Sequence, residues 1–365
     1  MKKLAIVGAS YLQEPLIQRA KKKGIETHVF AWAAGDVGEK SADYFYPIST
    51  TKKEEILVKC REIGIDGICT ISSDLAVIAV NYVAENMELT GNSMECTLKS
   101  TNKHLMRECF KEHGLPSPRS FPVESAEDLE GADLKYPVIV KPLDRSGSRG
   151  ITKVESFSGL SQAIEGAKEQ GFEKKALVEE FISGKEYSVE YISWQGKHKF
   201  LALTEKFTTG APSFIETGHH EPAEVDGETL ERIKDVVSRS LDALGIEYGA
   251  SHSELKVDNE GNIGLIEIGG RMGGDCIGSD LVELTTGYDY LEAVIDIALG
   301  RAPREYERNE GAATVRFILT QDDLKAYEEI KRKTPELIIK EDIHPITPTP
   351  VTQSADRSGY YIIGK

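Results

Sequence analysis

No stretch of this chain approaches the ~20 consecutive apolar residues that cross a bilayer, so a membrane-spanning helix is not expected. Cysteine is scarce, with five in 365 residues. Cys60, Cys69, Cys96, Cys109 and Cys276 are odd in number, scattered and without metal-type spacing. They exclude a disulfide framework and read as reduced thiols of a cytoplasmic protein. Positive charge is in deficit: 44 Lys and Arg stand against 60 Asp and Glu, a formal net charge of -16. That excludes a nucleic-acid backbone or an anionic membrane surface as the main partner, although local lysines and arginines can still hold a phosphate ligand. Ser-His-Asp and Cys-His constellations are missing, as are internal repeats and low-complexity tracts. The amino terminus runs directly into a strand-like "KKLAIVGAS", and no signal peptide is expected.

What is present suits a large core divided among two or three domains, with 40% hydrophobic residues. The first hundred residues alternate strand and helix. "LAIVGAS" reads as a buried strand, Leu12 to Lys23 as a helix ended by Gly24, and "ETHVF" as a second strand. A helix over 52–63, the strand "DGICTI" and a helix from Asp74 through Glu85 follow. This rhythm predicts a parallel sheet with right-handed crossovers. The three-glycine dinucleotide pattern is absent from "VGAS", so the scaffold is Rossmann-like without a dinucleotide. Asp74 lies at a strand's carboxyl end, where open α/β sheets place ligand contacts; it reads equally as a helix N-cap.

Ser100 or Thr101 is expected to cap a short helix that Gly114 ends. Beyond it, the strand "YPVIVKP", the loop "LDRSGSRG", the strand "ITKVES", a helix over 158–170 and the strand "KALVEEF" make a compact α+β module. An antiparallel meander, an amphipathic helix over 226–244, a hairpin and helices near 280–299 come next. Strands and prolines after Arg301 suggest a small closing subdomain.

The hairpin carries the first chemical signal. In "SELKVDNEGNIGLIEIGGRMGGD" two apolar-alternating strands flank a turn. A turn centred on Glu260-Gly261 sets Asn259 opposite Asn262 and Glu254 opposite Glu267. Like charges directly opposed are destabilising, and a cation between them reverses the sign. The alternative is a solvated glutamate or a register shifted by a longer loop.

Lys141 emerges from a Val-Ile-Val strand beside a low-dielectric layer. The small residues and arginines of "RSGSRG" can offer N–H and guanidinium donors to phosphate oxygens, or form a plain turn. In "LVEEFISGKEYSVE", backbone groups near Glu180 and Ile182 can meet a purine edge and Glu186 a ribose; the same run also reads as a simple hairpin.

Together, Lys103, Lys141, the loop 146–150, "VEEFISGKE", and Glu254 with Glu267 and Arg271 resemble the ATP-grasp ligases in order and spacing, over nearly the whole chain. The resemblance implies an α/β ATP-grasp fold: a Rossmann-like domain (1–100), an ATP-grasp domain (101–300) whose lid covers about 120–182, and a C-terminal subdomain (301–365). It implies that Lys103 and Lys141 contact ATP phosphates together with Ser146, Gly147, Ser148, Arg149 and Gly150. It assigns Glu179, Glu180, Phe181 and Ile182 to the base and Glu186 to the ribose. Glu254 and Glu267 would hold Mg²⁺, for which Mn²⁺ can substitute, and Arg271 would stabilise an acyl phosphate and the tetrahedral state that follows. The chain departs from the frequent Glu-x-Asn-Pro-Arg pattern by reading Glu267-Ile268-Gly269-Gly270-Arg271, which puts a second metal ion in doubt.

"APSFIETGHHEPA" and "RMGGD" resemble the L-amino-acid ligases that join amino acids into dipeptides. In that branch Glu216 and His219 would line the amino-acid site, with Asp275 and Asp74 as further substrate candidates. The implied reaction is phosphorylation of a carboxylate by ATP followed by displacement of phosphate by an amine, releasing ADP. Small molecules are the expected partners and a homodimer the expected assembly. The competing readings are an ATP-grasp ligase of purine or carboxylation metabolism and a non-catalytic ATP sensor.

Overall fold

A computed structural model of the chain describes residues 1–144, 150–211, 214–346 and 350–364. The amino-terminal part is a four-stranded parallel sheet in the order Tyr44–Tyr46, Glu26–Phe30, Lys3–Val7, Gly67–Cys69. The central strand is buried on both faces, which explains its unbroken apolar run. Ala5 and Val7 pack against Ile56 and Val80. Leu4 and Ile6 pack against Leu16 and Ile17 and share that core with Tyr290 and Ile295 of the helix Tyr290–Ala298. Met272, in the loop after the carboxylate hairpin, belongs to the same core. The first sheet is thereby anchored beside the hairpin.

Two expected helix caps differ. Ser73, not Asp74, caps the helix Asp74–Asn86, its hydroxyl accepting from the Ala76 N–H at 3.3 Å. The helix Lys103–Glu112 is capped by Asn102, whose side chain accepts from the N–H groups of His104 and Leu105. Ser100 and Thr101 instead belong to the preceding helix Met94–Thr101 and turn their hydroxyls back onto the Thr97 carbonyl. Short polar side chains bond whichever local backbone group is closest, and here that group lies behind them.

A second sheet is antiparallel, ordered Ser120–Val123, Ala176–Glu180, Val138–Pro142, Thr152–Val154. The helix Leu160–Gln170 covers it through Leu160, Ala163, Ile164 and Ala167. The third sheet has eight strands: Ile263–Gly269, Gly249–Val257, Lys185–Trp194, Lys197–Thr208, Glu216–Glu221, Ala313–Phe317, Gly359–Gly364 and Ile338–Ile343. Its last three strands come from the stretch beyond Arg301. The run from Glu216 to Glu221 is a strand between Lys197–Thr208 and Ala313–Phe317. The edge of the meander needed a partner, and the chain supplies two.

The carboxylate hairpin reaches its expected pairing by another route. Val257 pairs with Ile263 and Leu255 with Leu265, so the turn spans Asp258 to Asn262 and is longer than expected. The Asp258 carboxylate holds it, accepting from the backbone of Glu260 and Asn262. Asn259 therefore does not face Asn262. A bulge between Glu254 and Leu255 then shifts the register and sets Glu254 opposite Glu267. The extra residue of the bulge, Ile266, presents its carbonyl to Arg107.

Candidate active site

A cleft open to solvent is lined by the second sheet on one side and the eight-stranded sheet on the other. Eleven of the candidate residues line it: Lys103, Lys141, Glu179, Glu180, Phe181, Ile182, Glu186, Glu216, Glu254, Glu267 and Arg271. Ser146, Gly147, Ser148 and Arg149 lie outside the described residues. Gly150 sits at positive φ before Ile151, which lines the cleft. Asp74, His219 and Asp275 stand one layer behind the wall.

Part of the cleft wall is a buried triad. Lys141 bonds Glu179 at 2.5 Å, and Arg107 reaches the same carboxylate at 2.7 Å. Burial would raise the Glu179 carboxyl, but the charges of Arg107 and Lys141 hold it at about 2. Burial also depresses the Lys141 ammonium, and Glu179 does not fully offset it. Two cations share one carboxylate, so the triad as a whole carries one positive charge beside the cleft. The Glu179 side chain is thus committed to Arg107 and Lys141, leaving backbone groups of this strand to face a ligand.

Beside the triad, each of the two opposed glutamates is bonded by a lysine. Lys103 donates to Oε1 of Glu267 at 2.8 Å. Lys206 donates to Oε1 of Glu254 at 2.5 Å, and Nε2 of His252 lies 3.3 Å from the same atom. Burial pushes the Glu254 carboxyl up, yet Lys206 and then His252 hold it well below the usual carboxylate range. Lys206 is raised in turn, because Glu254, Glu186 and Glu216 outweigh its desolvation. In both glutamates these bonds fall on one oxygen, and the described residues place no bond on the other. Among the described residues there is no cluster of three or more acidic, histidine or cysteine ligands. Two carboxylate oxygens without a protein cage fit magnesium, which takes one or two carboxylates and completes its shell with phosphate and water.

Arg271 lies between the cleft and the first sheet. Its Nε and Nη2 donate to the two oxygens of Asp74 at 2.7 and 2.9 Å. Burial opposes the charge on both partners, but each holds the other ionised. The loop beyond is anchored by Ser72, whose N–H donates to the Met272 carbonyl at 3.2 Å. Asp275 accepts both Nη groups of Arg357 at 2.9 and 2.7 Å, and against its burial its carboxyl is held low by the nearby His219 and by Arg357. His219 itself is buried and kept neutral by desolvation, with Nδ1 unbonded and its ring edge-on to Phe317. Glu216 reaches the cleft and accepts from the Ser354 hydroxyl at 2.6 Å. Among the described residues it makes no ion pair.

Several lining residues escaped the sequence reading: Lys206, His252, Lys256 and Phe214. Strand periodicity could have found two of them. His252, Glu254 and Lys256 alternate on one strand face, so one recognised carboxylate implied its neighbours two residues away. Lys206 carried a weaker signal than Lys141, since its strand reads KHKFLALTEKFT and mixes apolar with charged residues. Arg107 carried none, being one of several polar residues on an amphipathic helix.

Residues 134–280 match the ATP-grasp domain. The chain is 26% identical over 246 residues to alanine–anticapsin ligase of Bacillus subtilis strain 168. That alignment covers 60% of this chain and 51% of the relative, so the match spans about half the relative's length. The fold is similar to that of an L-amino acid ligase from Bacillus licheniformis, with TM-score 0.85, 23% identity and coverage of 100% and 93% of the two chains. It is also similar to phosphoribosylglycinamide synthetase from Anaerococcus prevotii, with TM-score 0.78, 22% identity and coverage of 100% and 94%. At these identities the structural likenesses bear on the fold alone.

Proposed function

With residues 134–280 forming an ATP-grasp domain in a chain of ATP-grasp fold, we propose that the protein is an ADP-forming carboxylate–amine ligase acting on amino-acid substrates. The observation that carries this reading is the convergence of the opposed pair Glu254 and Glu267 with Lys103, Lys141 and Arg271 in one cleft. Phosphoryl transfer needs positioned cations around the phosphates and little covalent chemistry from the protein.

In this reading the nucleotide lies between the two sheets, its base against Phe181 and Ile182. Lys141, from a triad with one more cation than anion, contacts phosphate oxygens, and Lys103 turns from Glu267 to the same oxygens. Glu254 and Glu267 would hold magnesium, or manganese in its place. The bound ion would neutralise charge on the β- and γ-phosphates. A substrate carboxylate oxygen forms a bond to the γ-phosphorus as the bridging P–O bond breaks and ADP leaves. An amine nitrogen then bonds the acyl carbon, phosphate departs with the C–O electron pair, and the ammonium proton is lost. Arg271, fixed by Asp74, faces the negative charge that develops in both steps. Glu216 holds a substrate ammonium, and Asp275 and His219 support that end of the cleft from behind. The reading includes a cytoplasmic setting and a homodimer.

The test is phosphate release from MgATP in the presence of amino acids, singly and in pairs, with mass detection of the product. Amino-acid-dependent ADP formation with an amide product supports the reading. Turnover only with bicarbonate or a ribosyl amine, or tight ATP binding without turnover, would replace it.

A further inference from the structure

Behind Glu254 a second row of polar groups runs away from the cleft. His252 and Glu190 are directly opposite each other on adjacent strands of the eight-stranded sheet. Glu190 is fully buried, yet it is a carboxylate in the centre of the sheet. Its Oε1 pairs with Nδ1 of His252, and its Oε2 accepts the Gly273 N–H at 3.0 Å. The other ring nitrogen of His252 lies 3.3 Å from Glu254 Oε1. Four groups are thus joined in one line: Glu254, the imidazole, Glu190 and the backbone of Gly273. A Cβ added to Gly273 would fall 2.7 Å from both Glu190 Oε1 and His252 Nδ1, so only glycine lets the loop reach the pair. Gly273 follows Arg271 by two residues and precedes Asp275 by two.

A buried carboxylate is costly unless each oxygen is bonded, and removing one partner leaves the charge unpaid for by hydrogen bonds. Glu190 therefore holds Gly273 and His252 in one arrangement. A change at Glu254 is passed to His252 and, through Glu190, to the loop, because every link is a direct hydrogen bond and both His252 and Glu190 are buried. We propose that His252 and Glu190 are positioning residues that tie the loop 271–275 to Glu254, so that the loop bearing Arg271 is placed in concert with the cation that Glu254 holds. This rests on the reading that a magnesium nucleotide binds in the cleft, and not on the identity of the carboxylate or amine.

The experiment follows hydrogen exchange of the segment 269–276 with ADP alone and with ADP plus Mg²⁺, while calorimetry measures nucleotide binding separately. In the parent protein, magnesium should slow exchange of this segment at least tenfold beyond ADP alone. With occupancy matched to the parent by calorimetry, His252→Ala should lose that extra protection. Glu190→Gln, which can still accept from Gly273 and bond His252, should restore most of it; Gly273→Ala should abolish it. Equal magnesium-dependent protection in His252→Ala and the parent would overturn the proposal, as would a parent segment indifferent to magnesium despite binding. Should His252→Ala not fold, Gly273→Ala decides by the same comparison. Absence of any magnesium-nucleotide binding to the parent would overturn the functional reading first, and the calorimetry identifies that case.

Discussion

Asp74 Oδ1 lies 2.7 Å from the point where a side chain on Gly269 would begin. Gly269 stands where the frequent ATP-grasp pattern has asparagine, and the volume such a side chain would take is filled by Asp74 and by Arg271, whose Nε is 3.0 Å from the same point. The glycine is therefore the counterpart of a contact made by the first sheet. Gly269→Asn should destabilise the protein by about 1–3 kcal/mol through overpacking and lower turnover by displacing Arg271. Combining it with Asp74→Ala should recover part of the stability, since the two sites share one space. Thermal unfolding of the four proteins of this cycle measures the coupling; strict additivity would refute it.

Glu267→Gln should leave the fold intact and abolish turnover, because one of the two opposed carboxylates loses its charge and Lys103 loses its ion-pair partner. The direct measurement is nucleotide affinity with and without magnesium. The increment that magnesium confers in the parent should shrink at least tenfold in the variant.

Glu179→Ala tests the buried triad. It leaves Arg107 and Lys141 facing each other without the carboxylate that now holds both. Removing the shared partner of a buried ion pair typically costs about 3–5 kcal/mol. Denaturant unfolding should show a loss of that order, and a change below 1 kcal/mol would mean water already screens the pair.

Glu216→Gln should weaken apparent affinity for amino acids by about ten- to a hundredfold, the equivalent of roughly 1.5–3 kcal/mol for a lost charge-assisted contact. Apparent affinity for ATP should change less than threefold. Steady-state kinetics with each substrate varied in turn separates the two.

Glu221 predicts a pH dependence away from the cleft. It is fully buried, and burial raises its carboxyl to about 7 against the lowering effect of hydrogen bonds from Thr285 and Thr204. A carboxyl raised on folding binds its proton more readily in the folded state. Its protonated form contributes fully below the ordinary glutamate range near pH 4, and stability then falls as pH rises to about 7. The loss is on the order of 3 kcal/mol for a shift of this size. Glu221→Gln should flatten stability between pH 5 and 7; an unchanged slope there would exclude Glu221 as its source.

The sequence alone determined what depends on neighbours along the chain. Unbroken apolar runs specified the parallel strands and alternating ones the meander, and the carboxylate hairpin was legible because its two strands are joined by one short turn. Even there the facing of Glu254 and Glu267 came from a bulge, which no alternation pattern announces. Tertiary structure alone decided the partners of the charged groups. Arg271 meets Asp74 across 197 residues, Glu216 meets Ser354 across 138, and Asp275 meets Arg357 across 82. A charged side chain in a sequence states only that it needs a partner or water. Which partner it finds follows from how the sheets pack, because burial removes the water and leaves the ion pair as the way to keep the charge.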